Sequence, residues 1–260
     1  MSELFEVLAE KLCGFNKLDI FRNLPKDIVE KINETKPNNL RDKNKFLGEN
    51  DQVKFWVFDI PRMITCPGAT TKCKEHCYQI GVGNMHKGEN KDSIIVAHQK
   101  INLYRSLQDN FVDKMVKEII NKRPNERNIY IRIHACGDFY DADYLKKWIE
   151  IATKVKEKRP DYYFMAYTKS YTILDAVMQE KVSINPGYSL NDTNIHFMAS
   201  VMDDTSDKDI KIIEKYQLPK YFATSNEVTS NKLIDCKCIA CADCLKCYRC
   251  PKEEIVTELR

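Results

Sequence analysis

Residues 129–170 read IYIRIHACGDFYDADYLKKWIEIATKVKEKRPDYYFMAYTKS. The opening run, Ile129–His134, alternates isoleucine with other residues as a half-buried strand does. Ala142–Lys158 then spaces its apolar residues for a helix, with Asp141 or Asp143 placed to cap it. Tyr162–Tyr167 returns to strand composition. Strand, helix and strand in that order predict a βαβ unit, and so a parallel sheet with helices outside it. Further strands are expected at Val53–Ile60, Val182–Asn185, Ile195–Val201 and Lys220–Thr224. Further helices are expected at Ser93–Leu107, Phe111–Lys122, Thr172–Gln179 and Asp207–Tyr216. The six strands predict an α/β fold with a partial (β/α)6 barrel-like parallel sheet. Pro186–Asn194 holds no helix, so the fourth crossover is expected to be irregular or antiparallel.

Three regions follow. Residues 1–50 read as a helical N-terminal lead-in, with Leu4, Phe5, Val7, Leu8 and Leu12 at helical spacing and a short helix over Pro25–Ile32. Residues 51–230 form the α/β core. Residues 231–260 form a cysteine-rich tail with too few apolar groups for a core of its own, so the tail is expected to order around metal. Apolar residues make up 43% of the chain, charged residues 30%, and the net charge is +3. These are values of an ordinary globular protein without a membrane span. Lys and Arg are scattered among Asp and Glu, which argues against a nucleic-acid-binding face.

The eleven cysteines carry the chemistry. Six lie close together in the tail: Cys236, Cys238, Cys241, Cys244, Cys247 and Cys250, the last followed by Pro251. Thiols so close in sequence cannot all enter a core, but they can converge on a cofactor. Met1–Gly14 is amphipathic and acidic, unlike a secretory signal, which points to a reducing cytoplasm and away from disulfides. The C-x2-C steps run head to tail as in ferredoxin-type ligation, so one or two [4Fe–4S] clusters are expected. Zinc held by four thiolates is the alternative metal. A second set, Cys66, Cys73 and Cys77, lies upstream in CPGATTKCKEHCY.

In parallel α/β folds, working residues gather at the carboxyl ends of the strands. Here those ends lead into the Cys66–Cys77 loop, His134-Ala135-Cys136-Gly137-Asp138, Thr168-Lys169-Ser170 and Thr224-Ser225-Asn226. Cys136 is open to three roles: ligand, reactive thiol or packing residue. Lys169 could hold a carboxylate or phosphate.

A strand followed by a three-cysteine loop, then a strand ending in Gly137-Asp138, resembles the radical S-adenosylmethionine (SAM) enzymes. That resemblance implies a [4Fe–4S] cluster on Cys66, Cys73 and Cys77 with an open iron for SAM. Gly137 and Asp138 would contact the cofactor, joined by Lys169, and an auxiliary cluster would sit in the tail. The loop here is C-x6-C-x3-C instead of C-x3-C-x2-C, and Asp replaces the usual Glu. The set CPGATTKCKEHCY, RIHACGDFYDADYLKKWIEIA, FMAYTKS and a terminal cysteine cluster, in that order, resembles the gene product 88 family of bacteriophages and mobile elements. That resemblance implies a cytoplasmic iron–sulfur protein, in the host cytoplasm if phage-encoded, and supplies no substrate.

Two functions are therefore expected. One is a radical SAM-like enzyme acting on an unknown small molecule. The other is a non-catalytic iron–sulfur protein with closed clusters, serving structure, redox sensing or electron transfer to a protein redox partner. No membrane association is expected.

Overall fold

The computed structural model describes residues 3–36, 39–42, 53–77, 94–224, 233–235, 241–248 and 254–258. The boundaries expected near residues 50 and 230 lie outside these. In chain order the elements are α1 (Glu3–Lys11), α2 (Lys26–Glu34), β1 (Leu40–Asp42), β2 (Lys54–Phe58), α3 (Thr71–Glu75), α4 (Ile94–Ser106) and α5 (Phe111–Lys122). Next come β3 (Ile129–Ile133), α6 (Ala142–Lys158), β4 (Tyr162–Thr168), α7 (Tyr171–Ile184), β5 (Ile195–Met202), α8 (Asp207–Lys215) and β6 (Lys220–Thr224). The tail supplies β7 (Leu233–Asp235), α9 (Cys241–Cys244) and β8 (Glu254–Glu258).

The strands form one sheet in the order β1-β2-β3-β4-β5-β6-β8-β7. All pairs are parallel except β1 with β2. The order has two ends, β1 and β7, so the sheet stays open among the described residues. Alternation along the strands gives it two faces. On one face Trp56, Ile131, Phe164 and Ile195 sit side by side in register and join the helices in the main core. The lead-in belongs to that core as well, through Leu8, Leu12, Phe21, Ile28 and Ile32. On the other face Phe55, Tyr130 and Tyr163 stack in register, with ring centroids 5.5 and 4.9 Å apart.

Asp141 caps α6, its carboxylate accepting from Tyr144 N at 2.8 Å. One expected strand is overturned. Val182–Asn185 is the end of α7 and its cap, because the stripe of Leu174, Val177 and Met178 carries the helix on past residue 179. Ile184 is 77% exposed there, which no strand buried in this sheet could be. The crossover from β4 to β5 is thus α7 followed by a short 3-10 turn at Leu190–Thr193, and β5 lies parallel to β4. The sixth strand of the parallel run is β8, from the tail.

Handedness places the tail. Steps from β2 through β6 advance across the sheet with their helices on one face. The step from β7 to β8 goes back the other way, so a right-handed crossover must pass over the opposite face. Leu245 and Tyr248 do pack there, against Val53, Phe55, Tyr130, Met165 and Met198. Tyr248 sets its ring edge-on to Tyr130, with centroids 5.0 Å apart.

Candidate functional site

The loop of residues 61–77 runs as a strap across the carboxyl edge of the sheet and is fastened at three successive strand ends. At β3, Asp138 N donates to Thr65 O at 3.2 Å. Gly137 has φ +85, and a Cβ there would lie 2.4 Å from Ile60 Cγ1 and 2.7 Å from Thr65 Oγ1. At β4, a Cβ on Gly68 would come within 2.0 Å of the Lys169 carbonyl oxygen. No larger residue fits either position without moving the strap. Beyond β5, Lys72 N donates to Asp204 at 2.8 Å and its ammonium pairs with Asp203 at 2.9 Å. Thr70 caps α3 by accepting from Cys73 N.

The strap carries Cys66, Cys73 and Cys77, all partly buried. Burial pushes the Cys66 thiol up to about 12, assisted by the Asp138 carboxylate and then by Cys73 and Cys77. Burial also raises Cys73, against the pull of the Lys169 ammonium, with Cys77, Asp138 and Asp204 adding to the rise. The three thiols therefore share one electrostatic neighbourhood with Asp138 and Lys169. The Cys66 backbone N–H donates to Met63 O at 3.3 Å.

Asp138 is buried. Its Oδ1 accepts from Thr168 Oγ1 and from Phe139 N, both at 2.8 Å, and its Oδ2 from Lys169 N at 2.8 Å. Burial still raises its pKa against those bonds. The Lys169 ammonium turns away from it and donates to Ser200 Oγ on β5. Behind them His134 is sealed against Tyr144 OH at 2.7 Å. Burial, then the Arg132 charge, lowers it to about 3.

Several contributors escaped the sequence reading. Asp59 is wholly buried, accepts from Ala135 N at 2.7 Å and Cys136 N at 2.8 Å, and pairs with Arg41. Its signal was available, a carboxylate closing an apolar strand. Gly68, Asp203 and Asp204 had no comparable signal, since their role depends on contacts distant in sequence.

The tail thiols sit elsewhere on the sheet. Cys241 and Cys247 are partly buried against the face opposite the helices. Cys247 Sγ accepts from Tyr167 OH at 3.0 Å, and the Arg132 guanidinium lies 4.7 Å over the Tyr167 ring. Cys244 is partly buried in α9. Cys236, Cys238 and Cys250 lie outside the described residues. Among the described residues no three Cys, His, Asp or Glu side chains are arranged to hold a metal ion. No described helix is long and apolar enough to cross a membrane.

With this geometry in place, comparison with family models matches gene product 88 over residues 28–257. The chain belongs to the gene product 88 family. The match takes in most of α2, the strap, the tail thiols and all of the sheet but the last residue of β8. Comparison with curated proteins finds no match, and neither does comparison with solved structures.

Proposed function

We propose that this gene product 88 protein is an iron–sulfur protein whose principal cluster is held on the strap by Cys66, Cys73 and Cys77. The observation that carries the reading is the gathering of three half-buried thiols from one loop at the carboxyl edge of the sheet, where Cys73 and Cys77 act on Cys66 and Cys77 acts on Cys73. Without a cation Cys66 and Cys73 keep their protons, so metal binding there would displace them and be favoured by higher pH. Four-coordinate zinc needs thiolates about 2.3 Å from one shared centre. A polynuclear cluster spreads its thiolates over separate irons and suits a wider triangle. The donor chemistry fits a cluster, which when bound would supply one-electron transfer.

The protein's own groups would tune that centre. The Lys169 ammonium, whose charge acts on Cys73, favours added negative charge, and so a higher reduction potential. Cys241, Cys244 and Cys247, with Cys236, Cys238 and Cys250, form the candidate second set. The partner that fits is a protein redox partner in a reducing cytoplasm, that of the host if the protein is phage-encoded.

Radical SAM-like chemistry is the second reading, favoured by Lys169, whose ammonium stands beside Cys73 and could receive a ligand carboxylate. Asp138 serves it less well, being buried and already accepting from three donors.

Anaerobic purification tests the proposal. The protein should be brown, with iron and acid-labile sulfide in near-equal amounts, and Cys66→Ser or Cys73→Ser should each remove a large share of both. A colourless protein holding stoichiometric zinc would overturn it.

A further inference from the structure

We infer that Cys136 is the fourth thiolate of the strap site, closing the cluster of Cys66, Cys73 and Cys77 to small-molecule ligands. The inference rests on the iron–sulfur reading above and goes beyond it by naming the ligand that decides between its two forms.

Cys136 follows β3 and is 3% exposed, on the same edge as the strap. Its backbone is fixed on both sides. Its N–H donates to Asp59 at 2.8 Å, and its carbonyl accepts from Ile60 N at 3.1 Å. The next residue, Gly137, is wedged against Ile60 and Thr65, the neighbour of Cys66. Cys66 and Cys77 are among the groups whose charge acts on the Cys136 thiol.

Packing alone does not call for this arrangement. A small apolar residue would fill the space without placing a sulfur beside Asp59 and two other thiols. Four cysteines are the usual complement of a [4Fe–4S] cluster. A fourth protein thiolate would leave no iron for SAM, so the closed site is an electron carrier or sensor.

The test compares the anaerobic full-length protein with Cys136→Ser and Cys136→Ala by iron and sulfide analysis and by EPR of the reduced state, with and without cyanide or SAM. A tail cluster held by its own cysteines contributes equally to all three and cancels. The wild-type spectrum should not change with either probe. The variants' spectra should change, and on brief air oxidation they should shed iron and give a [3Fe–4S] signal. A wild-type spectrum that shifts with cyanide or SAM overturns the inference and restores the open site. A wild-type spectrum that stays put, with Cys136→Ala matching it in iron and EPR, also overturns it and assigns the fourth iron to another residue. If both variants fail to fold, the wild-type response alone decides. Wild-type protein without iron and sulfide refutes the parent reading, and this one with it.

Discussion

His134 shows how far burial governs the chemistry behind the strap. It ends a strand, has φ 65, and rests between Phe139 and Tyr144. Its pKa is lowered to about 3 from the ordinary 6.5. Between those values the unfolded chain takes up a proton that the folded chain refuses. This residue's contribution to stability is therefore whole above about pH 6.5 and declines by about 1.4 kcal/mol per pH unit below it, until the folded value is reached. Imidazole nitrogen shifts should show His134 neutral at about pH 5, where a free imidazole is mostly charged. A charged His134 at that pH would contradict the buried site. The sequence reading allowed His134, Cys136, Asp138 and Lys169 as strand-end residues because each directly follows a strand. It could not see that Asp138 faces inward, because its three donors come from the next residue and from another strand.

At the scale of elements, the strap depends on glycine at one point of near contact. Gly68→Ala must push the strap away from the end of β4, since the added Cβ would meet backbone rather than a yielding side chain. The expected loss of stability is roughly 1–3 kcal/mol, as for other overpacked sites. Cys73 should also react faster with a thiol reagent. Urea unfolding and timed labelling measure the two effects, and an unchanged labelling rate would mean the strap is not held there. The elements themselves were largely readable. β3, β4, β5, β6 and the helices from α4 to α8 fall close to their expected ranges, because each carries a full period of apolar residues. The exception, Val182–Asn185, misled because β-branched residues occupy the exposed end of a helix, where propensity yields to the stripe that precedes them. β1, β7 and β8 are short edge or tail strands specified by their neighbours, and local composition does not announce them.

For the whole molecule, the telling feature is the second face of the sheet. Helices bury the first face; the tail covers the other with Leu245 and Tyr248. Apolar packing therefore holds part of a tail that was expected to fold around metal and to pack on the α/β core. Tyr248→Ala should cost about 3–5 kcal/mol, the usual range for deleting a large buried ring. It should also make residues 236–250 sensitive to protease while leaving the strap's thiols protected. Protease resistance equal to that of the wild type would show that the tail is held by other means. The open sheet was legible only in part: six parallel strands were expected and seven occur among the described residues, the last two, β8 and β7, supplied by tail segments whose places depend on pairing across the chain. That pairing also sets the order of assembly. β7 leaves the ribosome before β8 yet borders the sheet only through β8. During synthesis β7 therefore has no strand to join until residues 254–258 have emerged and paired with β6. The crossover between β7 and β8 cannot close until β8 has paired. Folding of the tail should accordingly wait on β8, the strand that joins β7 to the rest of the sheet.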